Sequence, residues 1–557
     1  MKFLSIAILL FFNVMLIAQA PMLSNQGALI SIKDGAFVAV HGNTLNENAG
    51  NFHNSDTLHL YGDWENNAGN EAFLSLGEGV VTLRGDHQKI EGTDITRFYD
   101  LRLENTGVKY GSAIDVYVDG FLRLNDREFN MDTNVVHVFN PDPNAVQSTI
   151  VANYGFVSSL GNGGLLRHTN AAVAYFYPVG SAVAPARFRP IHVRPETTTA
   201  AAYRVRLANV DATVENYDRA LKAFEICEIN PHFYHRIART QGNTAAYLDF
   251  FYDINSDGNY SDIGHWASTL WEEESPTTAA SAMQYGLEKI ATDSLVRNFT
   301  PNPFALINVA PPVALQALAN PICSNDTLLL EASGSYSTFD FYVDSMWMQS
   351  SNSVYYESQL NTGLHPVWVI GSNGLCGRTS DTVWVTSFQS PTAQASPDTI
   401  IVAGTQATLY ASGGDFFSWS PADSVACAIC PTTTTSPTQN TTLAVTVETL
   451  DGCTDTDSVL VQVKSDVGQV LFIPNVITPN DDGKNDTWRI ENIQLFPRNK
   501  VIIVNRWGDV VHQSEYYNND WDGTFSGGLL PAGTYYYMLD LGDSWGIFKG
   551  PLTIIRK

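Results

Sequence analysis

A short unit repeats near the start of the chain, and the repeat limits what those residues can fold into. Two apolar residues one position apart are followed, two residues on, by Gly or Asn. The units are Val38, Val40, Gly42; Leu58, Leu60, Gly62; Val81, Leu83, Gly85; Leu101, Leu103, Asn105; Val116, Val118, Gly120; and Val136, Val138, Asn140. Successive second apolar residues stand 20, 23, 20, 15 and 20 positions apart. Alternation sets both side chains on one face of a short strand, and Gly or Asn then permits a φ > 0 corner. One such strand cannot bury its apolar face, but a stack of them can. The spacing predicts a right-handed parallel β-solenoid over residues 21–150.

The rest of the chain also reads as β. Short Val/Ile/Thr/Tyr runs lie between turn residues, aromatics reach 11% and charged residues only 16%, so the expected class is all-β. A length of 557 residues exceeds a single core and calls for several domains. The net charge of −26 excludes nucleic acid as a partner and leaves carboxylates for divalent cations. Residues 1–20 begin with Lys2, continue through an apolar run to Ala18 and end in Ala18-Gln19-Ala20. That is the build of a secretory signal peptide, short for a bilayer span, so no integral membrane span is expected once it is removed. Residues 151–310 read as a β-rich sandwich region closing in a Pro-rich linker from Thr300 to Pro312.

Two modules follow, at 312–388 and 389–464, with one plan: LLLEA, FDFYV, HPVWVIG and DTVWVTS in the first; ATLYASGG, FFSWSP, TTLAVTVE and DSVLVQV in the second. They resemble the Ig-like or PKD-like repeats of bacterial surface proteins, which implies β-sandwiches. The last stretch, 470–557, carries four blocks in order. They are Thr478, Pro479, Asn480, Asp482, Gly483, Asn485, Asp486; Asn505, Arg506, Trp507, Gly508; Trp521, Asp522, Gly523; and PAGTYYY at Pro531–Tyr537. This resembles the gliding-motility-associated C-terminal domain, the type B sorting signal of the type IX secretion system. The resemblance implies a C-terminal β-sandwich sorting domain, engagement with the type IX secretion machinery, and a protein that is secreted or held on the outer cell surface.

Several constellations could carry chemistry. Asp253, Asn255 and Asp257 offer oxygens at positions 1, 3 and 5 of a calcium loop, with Gly258 at the turn. Position 12 is Gly264, so Asp262 would have to supply the missing carboxylate. Asp481, Asp482, Asn485 and Asp486 form a second such loop, or a turn that satisfies its own backbone. Calcium is the only cofactor these residues suggest. His232 and His235 would face opposite ways on a strand, which speaks against a shared metal. Gly542–Gly546 spells GDSWG, but without the strand-then-helix setting of a nucleophile elbow. Glu272 to Glu274 reads as a solvated charge run. No cluster of Asp, Arg and Lys is evident at corresponding strand positions of the repeat. Six cysteines in an exported chain point to disulfides. Cys323–Cys376 is expected within the first module and Cys427–Cys430 within the second, leaving Cys227 free. The function these readings favour is structural or adhesive, without catalysis. The alternatives are a secreted polysaccharide-degrading enzyme using the solenoid region, or a carbohydrate-binding protein that meets glycans through Trp266, Trp271, Trp347 and Trp368.

Overall fold

In the computed structural model, residues 22–73, 78–111, 113–149, 154–274, 277–278, 284–292, 295–299, 302–464, 467–542 and 545–556 are described. Residues 1–20, where a signal peptide is expected, and Asp543–Ser544 of the GDSWG string lie outside them. The molecule is all-β. From Met22 the chain winds through three rows of short parallel strands. The first row is Met22–Gln26, Asn43–Glu47, Trp64–Asn67, Lys89–Gly92, Lys109–Gly111, Glu128–Asn130 and Phe156–Ser158. The second is Leu29–Ile32 and Asn51–Asn54, then Thr96–Phe98, Val116–Val118, Val135–Val138 and Gly164–Thr169. The third is Phe37–Val40, Thr57–Leu60, Val80–Leu83, Asp100–Leu103, Leu122–Asn125 and Val146–Ser148.

The sequence repeat maps onto this coil with one correction. Its first four units share the third row, with Val38 against Leu58, Leu58 against Val81 and Val81 against Leu101. The last two units belong to the second row, where Val116 pairs with Val136. The odd spacing of 15 marks the jump between rows. The third row continues instead with Leu122 opposite Leu101. Both rows alternate alike, so the pattern alone does not tell them apart. Arg102 and Arg123 also occupy one register position, so a basic residue does recur there, although Arg123 is tied to Asp100.

Row one carries a buried polar file. Asn25 Nδ2 donates to Asn46 Oδ1 at 2.9 Å, and Asn46 Nδ2 to Asn66 Oδ1 at 3.0 Å. Asn66 Nδ2 closes the file on the carbonyls of Asn70 and Ile95 at 2.7 and 3.0 Å. Each side-chain amide thus satisfies the next rung and pins the register at one corner. Asn66 faces Gly92 on the following rung. A Cβ at Gly92 would sit 2.1 Å from the Asn66 carbonyl oxygen, and its φ is +127°, so only glycine fits where the file ends.

The expected break at residue 150 is bridged by continuous sheet. Gly164–Thr169 pairs in parallel with Val135–Val138 and antiparallel with Ala201–Ala208. That sheet goes on through Tyr234–Gln241, Pro303–Val309, Asp262–Ala267 and Leu270–Glu273. A second sheet of Tyr175–Tyr177, Ile191–Pro195, Ala246–Tyr252, Glu288–Thr292 and Thr277–Thr278 packs against it. One cluster of buried side chains runs from Ile32 to Leu306. The expected linker is therefore overturned at its centre: Pro303–Val309 is an interior strand with Phe304, Ala305, Leu306 and Ile307 buried. Proline is tolerated there because Pro303 opens the strand.

Three smaller two-sheet units complete the chain, and each closes in the same way. A short early strand crosses over to pair in parallel with the unit's last long strand. The pairs are Ile322–Cys323 with Val383–Phe388, Thr399–Val402 with Thr454–Lys464, and Val476–Ile477 with Ile547–Ile554. The cores centre on Phe339, Phe341 and Val369 in the first, Trp419, Leu443 and Val445 in the second, and Trp488, Ile503 and Leu552 in the third, which Val402 of the second unit also joins.

The cysteines correct two expectations. Cys427–Cys430 forms as expected. Cys323 bonds not to Cys376 but to Cys453, and Cys376 bonds to Cys227, which is therefore not free. Both long-range bridges cross module boundaries. Around Cys227–Cys376 the Gly377 N–H donates to the Phe224 carbonyl at 3.1 Å, and Arg378 is ion-paired with Glu273. Around Cys323–Cys453, Asn325 N–H donates to Ser390 Oγ and Ser390 N–H to Ser324 Oγ, both at 3.0 Å. Pairing followed from how the modules dock, which spacing within one module cannot report.

Candidate functional site

The C-terminal unit brings the four sequence blocks onto one small sandwich, the first three as closed turns and the fourth entering the strand Gly533–Asp540. In the Thr478–Asp486 loop the Asp486 carboxylate accepts from the N–H groups of Asn480 and Asp481 at 2.9 Å and of Gly483 at 2.7 Å. These donors hold its carboxyl below the ordinary range, the Asn480 N–H foremost. Thr478 N–H closes the loop on the Asn485 carbonyl at 2.8 Å. The Asp/Asn/Gly content is thus explained by backbone satisfaction, with Gly483 and Asn485 at positive φ. Asp482 and Asn480 bond to each other at 2.9 Å.

The Asn505–Gly508 block is a turn of the same logic. Asn505 Oδ1 accepts from the N–H of Trp507 at 2.9 Å and of Asp509 at 3.0 Å, and Gly508 takes φ +93°. The turn projects Trp507, 77% exposed, with the Arg506 guanidinium over its ring. Trp521 points the other way, into the core, with Nε1 donating to the Thr524 carbonyl at 3.1 Å. Asp522 Oδ1 accepts from Thr524 N–H and Oγ1, and Gly523 completes the turn at φ +76°.

One residue outside the blocks joins them. Arg556 donates through Nη2 to the Gly523 carbonyl at 2.8 Å, through Nε to Leu530 at 2.8 Å and through Nη1 to Pro479 at 3.4 Å. It links the first and third blocks to the approach of the fourth. Sequence reasoning missed it because it lies beyond the last strand; a lone arginine just past a terminal β-run was its only signal.

Elsewhere the candidate ligands do not converge. Asp257 is buried, and its two oxygens are taken by Arg187 at 3.2 Å and by Arg189. Asp253 caps the short helix Ile254–Asp257, accepting from Asn255 N–H at 3.0 Å, and Asp262 sits on a neighbouring strand. Of the proposed calcium ligands Asp253, Asn255, Asp257 and Asp262, the first is a helix cap bound by the second, the third is held in a buried ion pair, and the last opens a separate strand. Among the described residues no group of three or more His, Cys, Asp or Glu could hold a metal ion. His232 is exposed, whereas His235 is buried against the Arg189 carbonyl at 2.8 Å and pushed down to about 4 by burial. The Glu272–Glu274 run is not simply solvated: Glu273 pairs with Arg378, and Glu274 lies 3.5 Å from His265.

Two of the four tryptophans proposed for sugars are core residues. Trp266 and Trp271 are buried edge-to-face, whereas Trp347 is 57% exposed and Trp368 stacks on Tyr342. The coil's second row carries an outward file of rings: Tyr117, His137, Phe139 and His168. Phe139 stacks with His137 and His168, Tyr117 meets His137 tilted and Phe139 edge-on, and Arg97 lies 4.9 Å above both Tyr117 and Phe139. The file stabilises the sheet.

Residues 471–554 match the CHU_C type IX secretion signal domain. The chain thus ends in a type IX secretion signal and is exported, to the cell surface or into the medium. No curated protein matches the chain. Among solved structures it is similar to the Clostridium thermocellum CbhA fibronectin(III)-like modules, at 13% identity over 27% of this chain and 94% of that one, with a TM-score of 0.17. It is similar to the Ig1-2 module of the Drosophila receptor protein tyrosine phosphatase DLAR, at 9% identity over 28% and 99%, with a TM-score of 0.13. It is also similar to the Bacteroides ovatus mixed-linkage glucan utilisation locus protein SGBP-B, at 15% identity over 43% and 70%, with a TM-score of 0.15. Scores this low assign no part of the chain to the fold of any one of them. No helix among the described residues is long and apolar enough to cross a membrane.

Proposed function

We propose that this chain, exported through its type IX secretion signal domain, is a non-catalytic structural and adhesive protein of the cell surface or its surroundings. After loss of an N-terminal signal peptide, a parallel β-solenoid fused to a sandwich forms its head. Two Ig-like modules form the shaft, and the sorting domain forms the base. The observation that carries this reading is the placement of Cys227–Cys376 and Cys323–Cys453. Each bridges a module to the unit before or after it, so the covalent links brace the shaft. A spacer under load needs fixed module angles, and crosslinks at the junctions supply them.

Two of the coil's arginines are spent on the fold. Arg97 joins Glu71 at 2.5 Å and Asp119 at 2.8 Å, and Arg123 joins Asp100 at 2.5 Å. Such pairing suits a scaffold better than a catalytic groove, whose charges must stay available to substrate. The test has two parts. Deleting residues 470–557 should trap the protein in the periplasm; normal surface display would overturn the export route. Cells lacking the full chain should attach less to polysaccharide-coated surfaces, and purified full-length chain should bind those surfaces without releasing soluble sugar. Release of sugar would favour the polysaccharide-degrading enzyme instead.

A further inference from the structure

The sandwich partly roofs the outer face of the coil's first row, and a cleft of about 410 Å³ opens there. Its floor is a file of side chains on three successive rungs: Tyr110, Asn130 and Ser158, in register with one another. Their inward neighbours Lys109, Phe129 and Val157 are buried, so the file faces out. Ser158 Oγ donates to Glu128 Oε1 at 2.5 Å. The far wall holds Arg206, paired through Nη2 to Glu215 at 2.6 Å. Arg206 is only 3% exposed, and its Nε has no hydrogen-bond partner among the described residues. The lips are Leu160, Val183 and Val210, which are 59%, 70% and 38% exposed. A second recess of about 400 Å³ shares Glu128 and Ser181 with the first and lengthens the cleft.

We propose that this cleft binds a neutral oligosaccharide, which makes it the adhesive site of the head; the inference rests on the adhesive reading above. Three features select that ligand class. The floor offers the Tyr110 hydroxyl and the Asn130 amide from neighbouring rungs, whose backbones stand about 4.8 Å apart, with Ser158 Oγ below them as an acceptor while it donates to Glu128, and such a set suits a chain of repeating hydroxyls. The lips are apolar and exposed, and they accept the C–H faces of sugar rings while polar groups below fix orientation. Charge then excludes the anionic glycans. Arg206 is spent on Glu215, and in the second recess Arg127 is spent on Asp126 and Arg187 on Asp257, so Glu128 and Asp132 leave a negative surplus that repels uronates and sulfates.

The experiment uses the full disulfide-bonded chain and calorimetric titration with oligosaccharides of neutral β-glucan, xylan and mannan, alongside oligogalacturonate and alginate oligomers. At least one neutral series should bind, and neither anionic series should. Asn130→Leu should weaken binding at least tenfold with unchanged near-ultraviolet circular dichroism. The milder Ser158→Ala, which keeps the backbone and volume, should weaken it in the same direction. No binding of any neutral series, binding confined to the anionic ones, or neutral binding untouched by both substitutions overturns the proposal. In the last case the chain still adheres through another surface, so the adhesive reading survives while the cleft fails. Failure of the unaltered chain to adhere to any coated surface removes the adhesive reading itself.

Discussion

Cys323 and Cys453 are bonded across the boundary between two sandwich modules, with their Cα atoms 5.7 Å apart. Cys323 ends the short strand that pairs with the first module's last strand, and Cys453 sits at the turn between the two longest strands of the second. Each module keeps its own core on its own side of the bond.

Cutting that link should therefore loosen the joint without melting either module. A loop-closing disulfide within one cooperative unit stabilises by roughly 2–4 kcal/mol, but this one constrains docking between two units. The double variant Cys323→Ser, Cys453→Ser should keep the modules' melting transitions within a few degrees of the unaltered chain. Proteolysis near residues 388–392 should become faster, and small-angle scattering should report a broader range of shapes. Collapse of a module's own transition would show that the bridge holds a core and not a joint.

The buried asparagine file should be costly to interrupt. Asn46 both accepts from Asn25 and donates to Asn66 and to the Gly50 carbonyl. Asn46→Ala strands these partners in a dry interior, at a cost of about 1–3 kcal/mol. Asn46→Asp should cost more at neutral pH, because it removes both donors and places a charge beside unpaired carbonyl oxygens. Urea unfolding followed by the fluorescence of the buried Trp64 on the next rung measures both.

How much of this was legible in the sequence depends on whether the signal was local. Alternation at Leu58, Leu60 and Leu101, Leu103 marks strands because the side-chain period is local, and these four residues are all buried. Which row a strand joins is not local, so Val116 and Leu122 were indistinguishable as continuations of Leu101. The Thr478–Asp486 loop was legible twice, as a resemblance and as turn chemistry, since Asp486 caps donors a few residues away. The partners of Asp257 were not legible in Asp253–Asp262, because Arg187 and Arg189 arrive from a distant hairpin to neutralise it. Cysteine pairing and the cleft at Tyr110 failed to appear for the same reason: both are made by units that meet only after folding.

The His265–Glu274 pair should give the head a pH-dependent stability. Burial, with the Glu272 carboxylate beside it, pushes Glu274 up to about 7, and burial pushes His265 down to about 4. Glu274's folded value lies above its unfolded one, so its contribution to stability is lost as pH rises from about 4.5 to 7. His265's folded value lies below its unfolded one, so stability is lost as pH falls from about 6.5 towards 4. Glu274→Gln should raise the head's thermal midpoint at pH 8 relative to the unaltered chain, and the gap should close by pH 4.5. A gap of constant size across that range would show that Glu274 stays charged in the fold.

The two tryptophans of the sorting domain should behave in opposite ways. Trp521 is 3% exposed and packs in the same core as Trp488 and Tyr517. Replacing a core tryptophan by alanine costs about 3–5 kcal/mol, a large share of what a domain this small holds. Trp507 touches little besides Arg506, and surface substitutions of that kind usually stay within about 0.5 kcal/mol. Hydrogen exchange on the full chain separates them. In Trp521→Ala the amides of the strands Gly533–Asp540 and Ile547–Ile554 should exchange orders of magnitude faster, while in Trp507→Ala they should keep their protection. Equal loss of protection in both variants would mean that the Asn505–Gly508 turn is part of the domain's folding core, despite the exposure of its tryptophan.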